Sequence, residues 1–300
     1  MSLFNGYILS ALAVLLVNTS LYGGIQMSSH YLELTRPDHA YLFGFIQADG
    51  HLYKDPKHPN KGKLKIELAA RDLDILQKIQ VLIRVKSSLT SRVRSTNFTA
   101  GSMVQTYSLS ICDMRFRQEL EALGVPVGKK SSKVGTPLEP YSEIDYLRGV
   151  IDGDGSLGIT KKGVPFISLV TASESLKETY LSFVKRYTGH AKVSHRNKRD
   201  NIYNICVTNE KAKELVNILY YDGCLSLERK KGKAKEIREW SRPEDRPKAN
   251  YIKKSWTREE DAVLMRLSNK EAAEELGRTR QSVNLRRWRL TGSINISGES

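Results

Sequence analysis

The sequence is poor in cysteine. Its 300 residues include three cysteines, Cys112, Cys206 and Cys224, and no two of them form a C-x-x-C pair. An odd number of widely separated thiols excludes the disulfide framework of a small secreted domain, and the spacing excludes a zinc site built on paired cysteines. We therefore expect reduced thiols and an intracellular protein.

A long hydrophobic run is also absent. The most apolar stretch, Tyr7 to Val17, is shorter than the roughly 20 residues that a membrane-spanning helix needs. Residues 1–26 carry no charged side chain, so the positive end of a signal peptide is missing as well. Because the composition changes at Met27, we expect that the working protein begins there, or that residues 1–26 come from a neighbouring reading frame. Mass spectrometry of the native N-terminus tests this, and no membrane is expected as a partner.

Acidic residues are scarce relative to basic ones. The chain has 48 Lys and Arg against 33 Asp and Glu, which gives a formal net charge of +15, while its hydrophobic content of 40% is ordinary for a globular protein. Solubility alone does not require such an excess, so the charge points to a polyanionic partner. DNA, RNA and an anionic membrane surface all fit at this stage.

One segment of the chain occurs twice. Tyr41 to Leu52 has the sequence YLFGFIQADGHL, and Tyr146 to Leu157 has the sequence YLRGVIDGDGSL. The tyrosine, the first leucine, the first glycine, the isoleucine, the Asp-Gly pair and the last leucine coincide. Because Asp154 follows Asp49 by 105 residues, the repeat indicates two structurally related halves.

The segments after each copy also agree. Alternating apolar residues predict strands, and apolar residues three to four apart predict helices. The predicted elements are strands at 64–68 and 107–111 and helices at 72–85 and 114–123 in the first half, and strands at 164–171 and 203–207 and helices at 175–187 and 210–220 in the second. Asp113 and Asn209 occupy the N-cap positions of the last two helices. The chain is therefore predicted to be α+β, with two pseudo-twofold αββαββα halves at 38–135 and 141–240.

Small residues four apart recur in both motifs. Gly44 and Ala48 form such a stripe in the first motif, and Gly149 and Gly153 form it in the second. A helix with a small-residue stripe allows another backbone to approach closely, so we expect the two motif helices to pack through Gly44 and Gly149 and to end side by side.

Two carboxylates would then lie close together at the helix ends. Asp49 and Asp154 are the last residues before Gly50 and Gly155, which are predicted to make the C-terminal turns. Paired carboxylates repel each other unless a cation lies between them, and in a basic protein this arrangement favours a divalent metal and phosphodiester chemistry.

A calcium-binding loop is the alternative for the second motif. Asp152-Gly-Asp154-Gly-Ser156 resembles the start of such a loop. The first motif has Gln47 in place of Asp152, however, and no glutamate arrives at the twelfth loop position. The calcium loop is therefore disfavoured.

The doubled motif resembles that of LAGLIDADG homing endonucleases in their single-chain, two-motif form, over residues 38–240. The resemblance implies two saddle-shaped antiparallel sheets that straddle double-stranded DNA, and a monomer that cuts both strands across the minor groove with Mg²⁺. It implies that Asp49 and Asp154 bind the metal, and Ala48 and Gly153 are assigned to the metal site beside them. It also implies a role in the mobility of an intron or intervening element, wherever the target DNA lies, in a bacterial or phage-infected cell or an organelle.

The same resemblance implies a basic residue near the metal, before the last helix of each half. Lys130 and Lys230 are the predicted residues, and Lys129 and Lys231 are the alternatives. Polar strand residues that alternate with core residues are predicted to face DNA and to bind phosphates or base edges. They are Lys63, Lys65, Arg92 and Arg94 in the first half and Lys192, Arg196, Lys198 and Arg199 in the second.

A second module follows a linker predicted at 241–254, which contains Pro243 and Pro247. Residues 255–290 resemble a Myb-like helix-turn-helix unit, with the patterns W-T-x-x-E-D and K-E-A-A-E-E-L-G-R-T. Three helices are predicted, at 259–267, 269–276 and 279–290. The resemblance implies that the last helix enters a major groove of DNA, and the predicted contacts are Arg278, Arg280, Arg286, Arg287 and Arg289.

Two other functions remain open at the sequence level. An RNA maturase of the same fold would assist intron splicing and bind intron RNA, and a non-catalytic regulator would only bind DNA. Retention of both Asp49 and Asp154 disfavours the regulator, because a binding protein has no need of two crowded carboxylates. It does not distinguish the endonuclease from the maturase.

Overall fold

The computed structural model of the chain describes residues 30–95, 103–189, 191, 196–197, 200–243 and 255–292. The chain divides into two compact units, one within residues 1–241 and the other within residues 242–300. The predictions for residues 1–26, Lys192, Lys198 and Arg199, and for most of the linker, lie outside the described residues. In the described ranges no helix has the length and apolar character needed to cross a membrane.

The first half of the larger unit has the predicted αββαββα order. Its elements are α1 (Pro37–Asp49), β1 (Gly50–Lys54), β2 (Gly62–Ala69), a 3-10 turn (Ala70–Asp72), α2 (Leu73–Ile83), β3 (Ser87–Ser95), β4 (Met103–Ile111) and α3 (Met114–Ala122). Helix α2 is amphipathic and buries Ile75, Leu76 and Ile79. Asp113 caps α3 by accepting a hydrogen bond from the backbone N–H of Phe116 at 2.8 Å, as the sequence predicts.

The second half follows this order with one strand, rather than two, between its second and third helices in the part of the chain that the structure describes, and it adds a fourth helix. Its elements are α4 (Glu143–Asp154), β5 (Gly155–Ile159), β6 (Pro165–Thr171), α5 (Glu174–Thr188), β7 (Tyr203–Thr208), α6 (Asn209–Leu219) and α7 (Glu228–Glu239). The part of this half that the structure describes contains three strands. The prediction that Asn209 caps α6 is wrong, because Thr208 holds the cap position and Asn209 is the first helical residue, with a φ of 59°.

Each half contributes one antiparallel sheet. The strand order is β1-β2-β4-β3 in the first sheet and β5-β6-β7 in the second. One face of each sheet is aliphatic and buried, with Leu64 and Ile66 in the first sheet and Ile167 and Leu169 in the second. Because side chains alternate along a strand, the polar residues between them face outward. The mixed α+β fold with two helix-backed antiparallel sheets is therefore confirmed.

The smaller unit consists of α8 (Arg258–Arg266), α9 (Asn269–Glu275) and α10 (Arg280–Thr291), close to the three predicted helices. Thr257 and Ser268 each begin a helix with a capping box, which fixes the start of α8 and of α9. Gly277, with a φ of 57°, makes the turn between α9 and α10. The buried apolar residues that the structure describes in this unit are few, namely Leu264, Ala272, Ala273 and Val283.

Candidate active site

The two repeated motifs form α1 and α4, which pack against each other with closely spaced backbones. A Cβ atom at Gly44 would lie 2.2 Å from the carbonyl oxygen of Tyr146, and one at Gly149 would lie 2.1 Å from the carbonyl oxygen of Tyr41. Side-chain carbons do not approach backbone oxygens that closely. Each glycine that the sequence assigns to helix packing therefore lies against the backbone of the other helix.

The next small residues bring the helix ends together. A Cβ atom at Gly153 would lie 2.3 Å from the Cβ of Ala48 and 3.3 Å from Oδ2 of Asp49. Helices α1 and α4 end at Asp49 and Asp154. The packing through small residues therefore places the two aspartates side by side, one from each half.

Gly50 and Gly155 end the motif helices, as predicted, and their backbone N–H groups donate to the carbonyl oxygens of Ile46 and Ile151. Both residues are extended, with φ of −76° and −95°, and begin β1 and β5. A Cβ atom would lie 2.6 Å from the carbonyl oxygen of Ile46 in the first case and 2.7 Å from that of Ile151 in the second. Lack of space, rather than backbone conformation, requires glycine at these positions.

Asp49 and Asp154 interact electrostatically. Burial raises the pKa of Asp49 to about 6, and the charge of Asp154 adds to this shift while Lys130 and Lys230 oppose it. Burial also raises the pKa of Asp154, although this residue keeps part of its surface exposed. Among the described residues, no donor forms a hydrogen bond with either carboxylate. Their oxygens are therefore available to a cation.

Lys130 holds the end of the first motif helix. Its Nζ donates hydrogen bonds to the carbonyl oxygens of Ile46 and Ala48, at 2.9 and 2.8 Å. Lys129, the alternative from the sequence, is exposed. Of the two neighbouring lysines, only Lys130 is thus directed at the helix end.

Lys230 holds the end of the second motif helix in a similar way. Its Nζ donates to the carbonyl oxygens of Asp152 and Gly155, at 2.7 and 2.9 Å, and to that of Ile151. Lys231 is exposed. Burial lowers the pKa of Lys230 to about 8, as it does that of Lys130. The site thus combines two carboxylates with two partly desolvated ammonium groups.

The residues at the helix ends fit a divalent cation with oxygen ligands. Hard cations such as Mg²⁺ take one or two carboxylates and complete their shell with water and phosphate oxygens. Within the described ranges, no third His, Cys, Asp or Glu joins the pair to form a larger group. The carbonyl of Ala48, which was predicted with Gly153 to belong to the metal site, already accepts a hydrogen bond from Lys130. A cavity of about 200 Å³ adjoins Asp154 and is also lined by Ala48 and Lys130, among others.

The family is shown by comparison with known domains. Residues 36–122 and 142–219 match the family described as LAGLIDADG-like domain, once in each half. The chain belongs to this family. Each matched segment contains one motif helix and the strands that follow it, and the second ends before α7 and the smaller unit. No curated protein matches the chain.

Solved structures similar to this chain include a meganuclease and a homing endonuclease. The meganuclease I-SmaMI, bound to uncleavable DNA, is 14% identical, with a TM-score of 0.46 over 70% of this chain and 89% of that chain. The homing endonuclease I-WcaI, bound to its DNA recognition sequence, is 19% identical, with a TM-score of 0.44 over 67% of this chain and 90% of that chain.

Two hydrogen bonds cross between the LAGLIDADG-like helices. The hydroxyl of Tyr41 donates to Oδ2 of Asp152 at 2.8 Å, and the hydroxyl of Tyr146 donates to Oε1 of Gln47 at 2.6 Å. Each tyrosine thus binds the other motif at the same position, six residues after that motif's own tyrosine. The repeated tyrosines were the sequence signal for these hydrogen bonds. Because Gln47 and Asp152 differ in residue type, the sequence does not show that both accept a hydrogen bond from the other motif's tyrosine.

Asp152 is a buried structural residue of the second LAGLIDADG-like motif. Besides Tyr41, its carboxyl group accepts hydrogen bonds from the hydroxyl of Tyr220 and the backbone N–H of Leu227, both at 2.7 Å. Burial raises the pKa of Asp152. With three donors and no exposed surface, this carboxyl group ties α4 to α1 and to the segment before α7 and is not available to a metal.

Arg148 is a further buried residue that sequence reasoning missed. Its guanidinium donates to the carbonyl oxygens of Leu225 and Leu219, at 2.8 and 3.0 Å, and to Oδ1 of Asp145 at 2.5 Å. The first motif has Phe43 at the equivalent position. The two carbonyl contacts therefore fix α4 of the second LAGLIDADG-like half against the end of α6 and the segment after it, whereas the ion pair lies within α4. The repeat gives no sign of either.

The outer faces of the two sheets differ in charge. The first carries the predicted residues Lys63, Lys65, Arg92 and Arg94, of which only Lys65 is partly buried. The outer residues of the second, paired in register, are Ser156, Gly158, Phe166, Ser168, Val170, Asn204, Cys206 and Thr208. Over the described strands β5 to β7, no charged side chain points outward. Arg196 donates to the carbonyl oxygens of Asn201 and Ala172, at 2.7 and 3.0 Å, so its guanidinium is engaged within its own half.

Arg278, Arg286 and Arg287, which were predicted to bind DNA, are engaged inside the smaller unit. Arg287 is fully buried and donates to Oδ1 of Asn269 at 2.7 Å and to the carbonyl oxygen of Leu267 at 2.6 Å. The prediction that it contacts DNA is wrong, because its donors lie in the core. Arg278 pairs with Glu260 at 2.7 Å and Arg286 with Asp261 at 2.5 Å, so both stabilise the unit. Arg280 and Arg289 are exposed.

The two kinds of arginine on α10 lead to a prediction. Arg287→Ala is expected to unfold the smaller unit in the intact chain, because it removes the hydrogen bonds to Oδ1 of Asn269 and to the carbonyl oxygen of Leu267. The free energy of unfolding of the unit should fall by about 2 to 4 kcal/mol. Arg289→Ala, two residues further on and exposed, is expected to leave the unit folded. Hydrogen exchange of residues 258–291 measures both effects, and equal protection in the two variants contradicts a structural role for Arg287.

Proposed function

We propose that this chain is a divalent-metal-dependent DNA endonuclease that cuts both strands of a long, pseudo-palindromic target and promotes the mobility of an intron or intervening element. The observation that carries the proposal is the pair of carboxylates, Asp49 and Asp154, at the joined ends of α1 and α4. Both keep their oxygens without hydrogen-bond donors among the described residues, and two lysines accompany them.

The chain's own residues have defined tasks in this reaction. Asp49 and Asp154 would hold Mg²⁺, which when bound supplies a Lewis acid at the phosphate and lowers the pKa of a water molecule. Lys130 and Lys230 orient the helix ends through their carbonyl contacts and place positive charge where charge develops on the phosphate. With pKa values of about 8, their Nζ atoms can also exchange protons near neutral pH.

Double-stranded DNA is the proposed partner. The exposed cations of the first sheet, among them Lys63, Arg92 and Arg94, suit phosphate and base contacts, and the net charge of +15 favours a polyanion. The smaller unit would add contacts through the exposed side of α10, which carries Arg280 and Arg289. A monomer is sufficient, because one chain supplies both carboxylates.

Cleavage of a natural target tests the proposal. The substrate is a duplex that joins the sequences flanking the inserted element, and the full chain is incubated with it in Mg²⁺ or in a chelator. Denaturing electrophoresis with each strand labelled is expected to show both strands cut in Mg²⁺ and neither in the chelator. A chain that binds this duplex tightly and cuts neither strand contradicts the endonuclease and leaves a binding protein.

A further inference from the structure

A single acid lies among the cations on the outer face of the first sheet. Within the described parts of β1 to β4, Glu67 is the only carboxylate on this face, and Lys65, Arg92, Arg94 and Thr106 surround it. An acid on a surface proposed to face phosphates opposes DNA binding through charge repulsion. Its position therefore calls for a specific role.

Glu67 is saturated with hydrogen bonds. Its carboxylate accepts from Nζ of Lys65 at 2.7 Å, from Nε and Nη2 of Arg92 at 3.0 and 2.7 Å, and from Oγ1 of Thr106 at 3.1 Å. Burial alone would raise the pKa of Glu67, but these hydrogen bonds outweigh it and lower that pKa to about 2. The carboxylate is thus ionised and fully engaged, and it has no free acceptor position with which to read a base itself.

Arg92 is held by one edge only. Its Nε and Nη2 point at Glu67, and its side chain is 54% exposed. A guanidinium has five N–H donors in a planar fork, so the edge formed by Nη1 and the second proton of Nη2 faces away from Glu67. Two parallel donors of this kind match the O6 and N7 acceptors of guanine in the major groove.

Arg94 provides the contrast. Its Nε lies 3.8 Å from the Glu67 carboxylate, beyond hydrogen-bond distance, and its side chain is 57% exposed. An arginine that is not fixed at one edge retains its rotational freedom and acts mainly as a mobile charge, which suits a phosphate contact. The two arginines, two residues apart on β3, therefore differ in how strongly they are oriented.

We infer that Arg92 reads a guanine in the half-site covered by the first sheet, and that Glu67 is the positioning residue that orients it. The inference rests on the proposed DNA-binding function. Holding the guanidinium in place before binding reduces the freedom lost on contact with the base. It also makes the contact selective, because a guanidinium fixed in this orientation would leave its N–H donors without acceptors at any other base pair.

The test is a binding selection from a randomised duplex library by the full chain in a chelator, followed by sequencing of the bound DNA. Wild type is expected to prefer guanine strongly at one position of one half-site. Arg92→Lys, which keeps the charge and loses the fork, is expected to reduce that preference roughly five- to hundredfold. Glu67→Gln is expected to reduce it as well, while binding to unrelated DNA becomes tighter because one negative charge is removed.

Arg94→Ala is the matched control on the same strand. It is expected to weaken binding to all sequences about equally, to reduce the salt dependence of binding, and to leave the guanine preference in place. Circular dichroism of each variant confirms that the sheet is folded.

The outcomes separate the two levels of the proposal. If wild type binds no duplex, the proposed function fails. If wild type selects DNA but Arg92→Lys keeps the same preference at every position, Arg92 is a phosphate contact and the inference is overturned. If Arg92→Lys loses the preference and Glu67→Gln keeps it, the positioning role of Glu67 is overturned.

Discussion

Asp49→Asn is expected to give a protein that is inactive but more stable than the wild type in the absence of metal. Cleavage of the natural target should fall by about a thousandfold, because several kcal/mol of charge stabilisation at the phosphate are lost. The gain in stability follows from the carboxylate pair, in which burial and the charge of Asp154 raise the pKa of Asp49 to about 6. Replacement by a neutral amide removes this unfavourable ionisation.

The sign of the pH dependence follows from the raised pKa. An aspartate that titrates higher in the folded state than in the unfolded one favours folding at low pH, and that contribution is lost as the pH rises through the folded value. One pKa unit is worth about 1.4 kcal/mol. The free energy of unfolding of Asp49→Asn should therefore exceed that of the wild type by about 2 to 3 kcal/mol at pH 8 and by roughly half of that at pH 5. Thermal unfolding of the larger unit in a chelator measures the difference as a Tm increase of about 5 to 10 °C at pH 8.

Asp222→Asn serves as the control. Its side chain is exposed, and its ion pair with Arg238 has a distance of 3.5 Å. Both cleavage and Tm should match the wild type. If Asp49→Asn cuts both strands at the wild-type rate, the assignment of Asp49 to the metal site is wrong. A lower Tm than wild type at pH 8 contradicts the repulsion between Asp49 and Asp154.

Gly149→Ala is expected to have the largest effect on stability. The added methyl carbon would lie 2.1 Å from the carbonyl oxygen of Tyr41 and 2.8 Å from the backbone nitrogen of Phe45. Both atoms belong to the backbone of α1, so the two helices must move apart. We expect the free energy of unfolding to fall by about 3 kcal/mol or more, which is at the upper end of the cost of overpacking a core.

The same change should also impair cleavage. A displacement of about 1 Å between reacting groups lowers rates by about a hundredfold, and separation of α1 from α4 moves Asp49 relative to Asp154. Urea denaturation of the chain and a cleavage assay below the unfolding temperature measure the two effects separately.

Gly232→Ala is the matched control, since α7 also contains a glycine. A Cβ atom at Gly232 would meet no atom within 4 Å. Alanine there is expected to stabilise the helix by about 0.5 to 1 kcal/mol and to leave cleavage unchanged. Equal stability of Gly149→Ala and Gly232→Ala would show that the helices are not in close contact at Gly149.

Within the larger unit, the features of the candidate site that the sequence predicts are those that the repeat duplicates. The motif glycines and the two aspartates occupy the same positions in both copies, so one physical argument applies to both. Arg148 is not predictable in this way, because its counterpart is Phe43 and its partners are main-chain carbonyls far along the chain. Only the packed structure shows that a charged side chain has its donors satisfied there.

The smaller unit shows why residue type alone misleads. Arginines on α10 look like a phosphate-binding face, but Arg287 follows the buried Val283 by four residues and continues its side of the helix. That periodicity was the available signal. The prediction that Arg287 points outward rests on the density of positive charge on α10. Charge density does not distinguish a donor bonded to Asn269 from one directed at solvent.

The crossed hydrogen bonds between the motif helices limit how the two halves can diverge. The hydroxyls of Tyr41 and Tyr146 each donate a hydrogen bond to a buried polar side chain of the other half. A change at one end of either pair leaves a buried polar group without its partner, whereas a change on an outer sheet face leaves the core intact. Under the proposed function, target preference can therefore change strand by strand on the outer sheet faces, while the central helices accept at the positions of Gln47 and Asp152 only side chains that can take the hydrogen bond of the facing tyrosine.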